Sequence, residues 1–191
     1  MPHADLLCGR MGGIISGRGG SRLTGKWGGM AVTISQRKMR RKDKEISDPR
    51  EVEAILKEAL TLHLGLCLGD EPYVVPMTYG YAEGKIYLHG GVGGTKFELM
   101  AANPRVSFSV VTGVETIPHP EPCEWSVRYR SVVGFGTARF LETPEEKNRG
   151  LNALTAHLGA GTHAYSPELL ARVVVVEIDV TQATGRQSGY P

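Results

Sequence analysis

From residue 61 to residue 180 the chain is a succession of short β-branched and aromatic runs punctuated by glycine, proline and aspartate, and this pattern constrains the fold more than any other feature. HLGLCLG (63–69), YVVPMTYGYA (73–82), KIYLHG (85–90), RVSFSVV (105–111), CEWSVRYRSVVGFGTARFLE (123–142) and RVVVVEIDV (172–180) read as strands. Gly69-Asp70-Glu71-Pro72 and Glu83-Gly84 are links of turn length, so the strands they join pair as antiparallel hairpins. Parallel pairing would need a crossover of a dozen or more residues, which these links do not contain. Pro76 has no amide proton and belongs at an edge or a bulge. Gly134 and Gly136 mark bulge or bend points in segment 123–142, which is one long strand or a bent pair.

Helices lie around these strands. Asp48-Pro49, with Glu51 in the first turn, opens an amphipathic helix whose apolar face is Val52, Ile55, Leu56 and Ala59. Thr95 is expected to cap a short helix with the apolar face Phe97, Leu99, Met100 and Ala101, ended by Asn103-Pro104. Thr143-Pro144-Glu145-Glu146 has capping-box form and opens a helix to about Leu158, and a short helix follows near 167–171. Six antiparallel strands with peripheral helices predict a mainly β fold, a barrel with added helices.

The formal charge of +2 hides a split. Residues 1–45 carry 10 Lys and Arg against 3 Asp and Glu, whereas residues 46–191 carry 12 against 17. Nine of the 25 glycines fall in the first 30 residues, where few apolar side chains offset the entropy of ordering. The expected organisation is a flexible Gly-rich basic arm (1–38), one domain (39–186) and a short tail (187–191). Asp5 precedes any Lys or Arg and no apolar stretch follows, which argues against a signal peptide. The cluster Arg37, Lys38, Arg40, Arg41, Lys42 and Lys44 could face an anionic surface, but no aromatic residues interleave with it as a base-stacking platform requires. A solvated tail, or sequence upstream of a start at Met30 or Met39, is the preferred reading, and no nucleic-acid partner is expected. Cys8, Cys67 and Cys123 share no metal or redox spacing, and no run approaches the ~18 apolar residues of a membrane span. A soluble cytoplasmic protein is expected.

The candidate chemistry is narrow. Histidines 3, 63, 89, 119, 157 and 163 show no ligand spacing, so no metal is expected. There is no G-x-S-x-G elbow, and GGVGGTK (90–96) lacks P-loop spacing. What remains is that turn itself. Gly90, Gly91, Gly93 and Gly94 admit close backbone approach, and Thr95-Lys96 begin a helix, an arrangement that suits a monophosphate or simply tightens a turn.

Several linked stretches carry a resemblance: MRRKDKEISDP, YVVPMTYGYAEGKIYLHGG, GTKFELMAANPRVSFSV, WSVRYRSVVGFGTARFLE with its following helix, and ATGR near the end. From Met39 to about Gly185 the chain resembles the pyridoxamine 5′-phosphate oxidase-like flavin-binding split barrels, and most of all their nitroimidazole-resistance (Nim) branch. The resemblance implies a homodimer of six-stranded antiparallel split β-barrels with FMN at the dimer interface. By position, Val75, Pro76, Met77 and Thr78 would line the flavin ring, His89 and Gly90 would flank it, and Thr95 and Lys96 would stand at its phosphate. Arg130 and Ser131 fall where the oxidases bring residues from the partner subunit. His89 matches the Nim active-site histidine. The oxidases' Ser-Arg-Lys phosphate turn is Gly94-Thr95-Lys96 here, and their arginine-rich C-terminal substrate signature is absent, which disfavours vitamin B6 oxidation.

The function implied is that of an FMN-dependent oxidoreductase. It would pass two electrons at a time from reduced FMN to a small planar acceptor, a nitroimidazole in the Nim branch, with His89 orienting the acceptor or supplying a proton. The electron donor would be NAD(P)H or a separate reductase. The alternatives are a flavin carrier without a dedicated substrate, a related oxidase of other substrate, and an empty barrel with an interaction tail. From the residues alone, Val75 and Met77 also fit core packing. Trp125 and Tyr129 are expected in core or dimer packing. Arg128 and Arg130 lie on one strand face, where structural ion pairs with Glu124 or Glu142 are the alternative reading.

Overall fold

The computed structural model describes residues 38–190, so all but the last residue of the expected basic arm lies outside it. A 3-10 turn (Lys42–Lys44) leads into a two-residue strand β1 (Glu45–Ile46), helix α1 (Pro49–Glu58), and strands β2 (Thr61–Leu68), β3 (Glu71–Thr78), β4 (Gly80–Ala82) and β5 (Lys85–Gly91). Helix α2 (Thr95–Ala102), β6 (Arg105–Ile117), β7 (Ser126–Leu141), α3 (Pro144–His157), α4 (Pro167–Arg172) and β8 (Val173–Ser188) complete the order. The strands form one sheet in the order β3-β2-β6-β7-β8-β5-β4, with β1 beside β8, and every pair is antiparallel. Pro76 lies on an edge strand, as its missing donor requires.

Eight strands replace the six expected. Segment 73–82 divides at Tyr79, whose phenol turns fully into the core and donates to the Leu56 carbonyl oxygen at 2.6 Å. The other addition is the short β1. The last strand runs to Ser188 rather than ending at 180, because β7 supplies its ladder past a bulge between Phe135 and Gly136. Segment 123–142 is one long strand, β7, rather than a bent pair. The hairpin at Glu83 (φ 52°) and Gly84 (φ 74°) places both central residues in the left-handed region that a tight primed turn demands.

Alternation decides what is inside. Leu62, Leu64 and Leu66 of β2, Ile86 and Leu88 of β5, Val106, Phe108 and Val110 of β6, and Val176 and Ile178 of β8 point into the barrel. Ile55 and Leu56 of α1 and Phe97 and Met100 of α2 cover it. A second cluster lies on the outer face beneath α3 and α4, built on Tyr87, Leu141, Leu151, Leu154, Leu170 and Val175. Local signals fix the helices: Asp48 accepts from the Arg50 amide at 2.9 Å, and Thr143 with Glu146 forms a complete capping box. His157 Nε2 lies 2.8 Å from the Ala59 carbonyl oxygen and ties α3 to the end of α1.

One ion cluster pins the outer face. Glu177 of β8 is buried and accepts from Lys85 at 2.9 Å, Arg139 at 3.1 Å and the Tyr87 hydroxyl at 3.2 Å. Burial pushes its pKa up, but the hydrogen bonds from the Lys85 and Arg139 cations outweigh burial and hold it below the ordinary glutamate value. Arg139 also reaches Glu146 at 2.6 Å and, with the Glu142 and Thr143 amides, holds that carboxyl down to about 2. Because the folded-state pKa of Glu177 is depressed, its contribution is complete above the unfolded value of 4.5 and is lost as pH falls through the folded value. Glu177→Gln is expected to lower stability at pH 7 by about 2 kcal/mol. Melting curves should show a drop of roughly 4–8 °C at pH 7 that shrinks by pH 3. A pH-independent difference would assign the loss to packing instead.

Candidate functional site

The glycine-rich turn after β5 is shaped by backbone conformations that side chains resist. Gly93 (φ 86°) and Gly94 (φ 104°) both lie in the left-handed region, and Gly94, not Thr95, is the N-cap of α2. The expectation that Thr95 caps this helix therefore fails: its side chain makes no capping bond, and it is already the first helical residue. Of the apolar face read for α2, Phe97 and Met100 are buried and Leu99 is half-buried, whereas Ala101 is exposed. The first intrahelical bonds run from the Phe97 and Glu98 amides to Gly94, which leaves the Thr95 and Lys96 amides without an acceptor among the described residues.

The Lys96 ammonium lies over the Phe97 ring, 4.7 Å from its centroid, in the same first turn of α2. Among the described residues it has no carboxylate partner. A cation at a helix N-terminus opposes the helix dipole, and an anion shared between it and the free amides would remove that conflict. Gly90 packs against the same residues: a Cβ there would lie 2.9 Å from two Phe97 ring carbons and 3.7 Å from Lys96 Cε. Gly90, Thr95 and Lys96 thus form one local constellation.

The edge strand β3 divides its four candidates. Val75 and Met77 are half-buried and pack against the barrel core, while Pro76 and Thr78 face outward. The register runs Pro76–His63–Ser109–Val133 across β3, β2, β6 and β7, with Thr78–Thr61 beside it. Val111, Ser131 and Arg186 form a further row on that outer face. Val74, Val111 and Val133 are exposed there, so the face is apolar at its centre with Arg186 at its rim.

Arg130 points to the other side of the sheet. Its Nη2 donates to Glu58 at 3.2 Å and its guanidinium lies 6.0 Å from the Tyr190 ring, but its buried Nε has no acceptor among the described residues. The Nε of Arg186 and the Oγ1 of Thr112 are likewise buried without partners among the described residues. Of the alternative ion pairs with Glu124 or Glu142, neither forms: Arg128 pairs with Glu115 and Arg130 with Glu58. Trp125 is not core either, being 56% exposed with its indole N–H donated to the His119 carbonyl oxygen at 2.7 Å.

His89 lies opposite Val175 on the outer face of β5 and opens into a groove of about 580 Å³ between β5, α3 and α4. Gly90 and Gly91 form part of the floor, and Leu151, Leu154 and Leu169 form much of the wall. The helix side of this groove is not among the residues singled out in the sequence, although Leu151 and Leu154 on α3 and Leu158 at its C-cap form an apolar stripe at i, i+3 and i+7. The structure thus joins Gly90, Thr95 and Lys96 at the turn and His89 with Gly90 at the groove. Pro76, Thr78 and Ser131 share the outer sheet face, and Arg130 stands apart. Among the described residues no group of His, Cys, Asp and Glu could hold a metal ion, and no helix is long and apolar enough to cross a membrane.

An open antiparallel barrel with helices packed against it and a glycine-rich cationic turn after the β4–β5 hairpin defines a split-barrel protein. A family model described as pyridoxamine 5′-phosphate oxidase matches residues 48–187, and the chain belongs to that family. A candidate 5-nitroimidazole antibiotic resistance protein of Bacteroides thetaiotaomicron has a similar structure, with a TM-score of 0.67 and 31% identity over 75% of this chain and 86% of that one. An FAD-binding protein of Mesorhizobium loti superposes with a TM-score of 0.56 and 25% identity, covering 74% of this chain and 96% of its own. An uncharacterized protein of Rhizobium meliloti is 30% identical over 60 residues, which span 31% of this chain and 39% of that relative.

Proposed function

We propose that the protein is an FMN-dependent oxidoreductase that reduces small planar acceptors, nitroimidazole-type compounds foremost. The observation that carries this reading is the glycine turn: among the described residues, two α2 amides without acceptors and a Lys96 ammonium without a carboxylate, beside a Gly90 that no larger residue could replace without moving Phe97. These residues fit a phosphate. The relative of known structure described as a candidate nitroimidazole-resistance protein supports the acceptor class.

Lys96, Thr95 and the free amides would hold the phosphate, and Gly90 would leave room for close approach. The bound flavin would supply two-electron reduction chemistry, which no side chain can. His89 would orient the acceptor and hold a proton at its imidazole for delivery as electrons arrive. Pro76, Thr78 and Ser131 lie on the outer face whose exposed valines a second copy would cover, and a homodimer with the cofactor at that interface follows from the reading. Electrons would come from NAD(P)H or from a separate reductase.

The test is flavin uptake by the purified protein, followed by anaerobic turnover of a nitroimidazole with NAD(P)H or with a chemical reductant. His89→Ala is expected to retain FMN while acceptor reduction falls about 10²-fold. An unchanged rate would return His89 to a structural role. Uptake without turnover would favour a flavin carrier, and absence of uptake would remove the cofactor and the activity together.

A further inference from the structure

We propose that the groove between β5, α3 and α4 is a binding site for an organic monoanion with an apolar body, such as an arylcarboxylate. Its volume of about 580 Å³ lies in the range of small-molecule sites, which are mostly apolar with a few convergent polar groups. Leu151, Leu154, Leu158 and Leu169 line it, and Leu158 and Leu169 remain 46% and 41% exposed at its mouth. Apolar surface left open in a concave wall is what an apolar ligand body would cover.

Charge selects the ligand's sign. The lining includes Arg172 and His89 but no aspartate or glutamate. The polar groups of Thr155 and Tyr165 are already engaged, since both hydroxyls donate to the Leu151 carbonyl oxygen, at 3.2 and 3.4 Å. Arg172 uses only its Nε, on the Glu168 carbonyl oxygen at 3.3 Å, and has no salt bridge among the described residues. Its two terminal nitrogens form a planar fork suited to a carboxylate. The Arg172 backbone is held in place from below: Lys147 reaches under α4 and donates to the Leu170 and Val173 carbonyl oxygens at 2.8 and 3.0 Å. A neutral or cationic ligand would leave the guanidinium unused or repelled, so the anion is favoured. The groove shares His89 and Gly90 with the proposed flavin site, but its test needs neither flavin nor turnover, so the two readings can fail separately.

The experiment is calorimetric titration of the full chain with 4-biphenylcarboxylate and with its neutral primary amide. The carboxylate should bind at least about tenfold more tightly than the amide, the worth of a charge-assisted fork. Arg172→Gln should erase that preference while leaving amide affinity unchanged; Arg172 is exposed, and an unshifted melting curve verifies its fold. Gly91→Phe, at a position where a Cβ meets nothing within 4 Å, should fill the groove and abolish binding of both probes. Equal affinity for the two probes, a preference that survives Arg172→Gln, or no saturable binding by either would overturn the assignment.

Discussion

Gly134→Ala is expected to destabilise the folded chain by about 3 kcal/mol, an overpacking cost at the upper end of the usual range. For a domain of this size that is a fall in melting temperature of roughly 6–12 °C. The reason is a contact made across the β6–β7 ladder, where Gly134 stands opposite Phe108. A Cβ on Gly134 would lie 2.2 Å from Phe108 Cζ and 2.6 and 2.8 Å from its two Cε atoms. The ring cannot swing away, being 1% exposed and packed in the central cluster of the barrel. Backbone conformation is not the obstacle, since Gly134 does not have a positive φ; only space is at issue. The remedy follows from the same geometry. Phe108→Leu removes the ring edge, so Gly134→Ala combined with Phe108→Leu should lose clearly less than the sum of the two single changes. Additive losses, or a Gly134→Ala protein that melts with the native one, would show that the sheet relaxes around the extra methyl.

Sequence reading succeeded where the deciding interaction is local and failed where a distant segment decides. Asp48 and Thr143 are bonded to amides two and three residues away, so those helix starts were legible. Thr95 misled because the decisive fact is the φ of the preceding glycine, which the residue type permits but does not announce. The second half of β8 was missed because TQATGRQS lacks β-branched alternation; its register comes from β7, which pairs Ser131 with Arg186 and Val133 with Thr184. Segment 73–82 broke at Tyr79 because a buried phenol found its acceptor in α1, more than twenty residues back in the chain. Arg130 reaches Glu58 across 72 positions, a partner that no spacing rule reveals. Of the candidate site, the glycine turn with Lys96 was visible as a motif. The groove at His89 was not, because it exists only once α3 and α4 cross the outer face of β5.

Lys96→Ala is expected to weaken FMN binding by about 10–100-fold while changing riboflavin binding by no more than about twofold. The magnitude is that of one hydrogen bond to a charged group, about 1.5–3 kcal/mol. The selectivity follows from placement. Lys96 stands at the N-terminus of α2, half-buried against Phe97 with no carboxylate among the described residues, so its charge is available to a phosphate and to little else. Lys96→Arg should recover most of the affinity, because a guanidinium can serve the same oxygens. Raised salt should weaken FMN binding to the native protein more than to Lys96→Ala, since screening acts on the charge pair alone. Fluorescence quenching titrations with both flavins decide the matter. An equal loss for FMN and riboflavin would mean that Lys96 supports the turn rather than the phosphate. The free Thr95 and Lys96 amides, which no side-chain change removes, would then be left as the anion site.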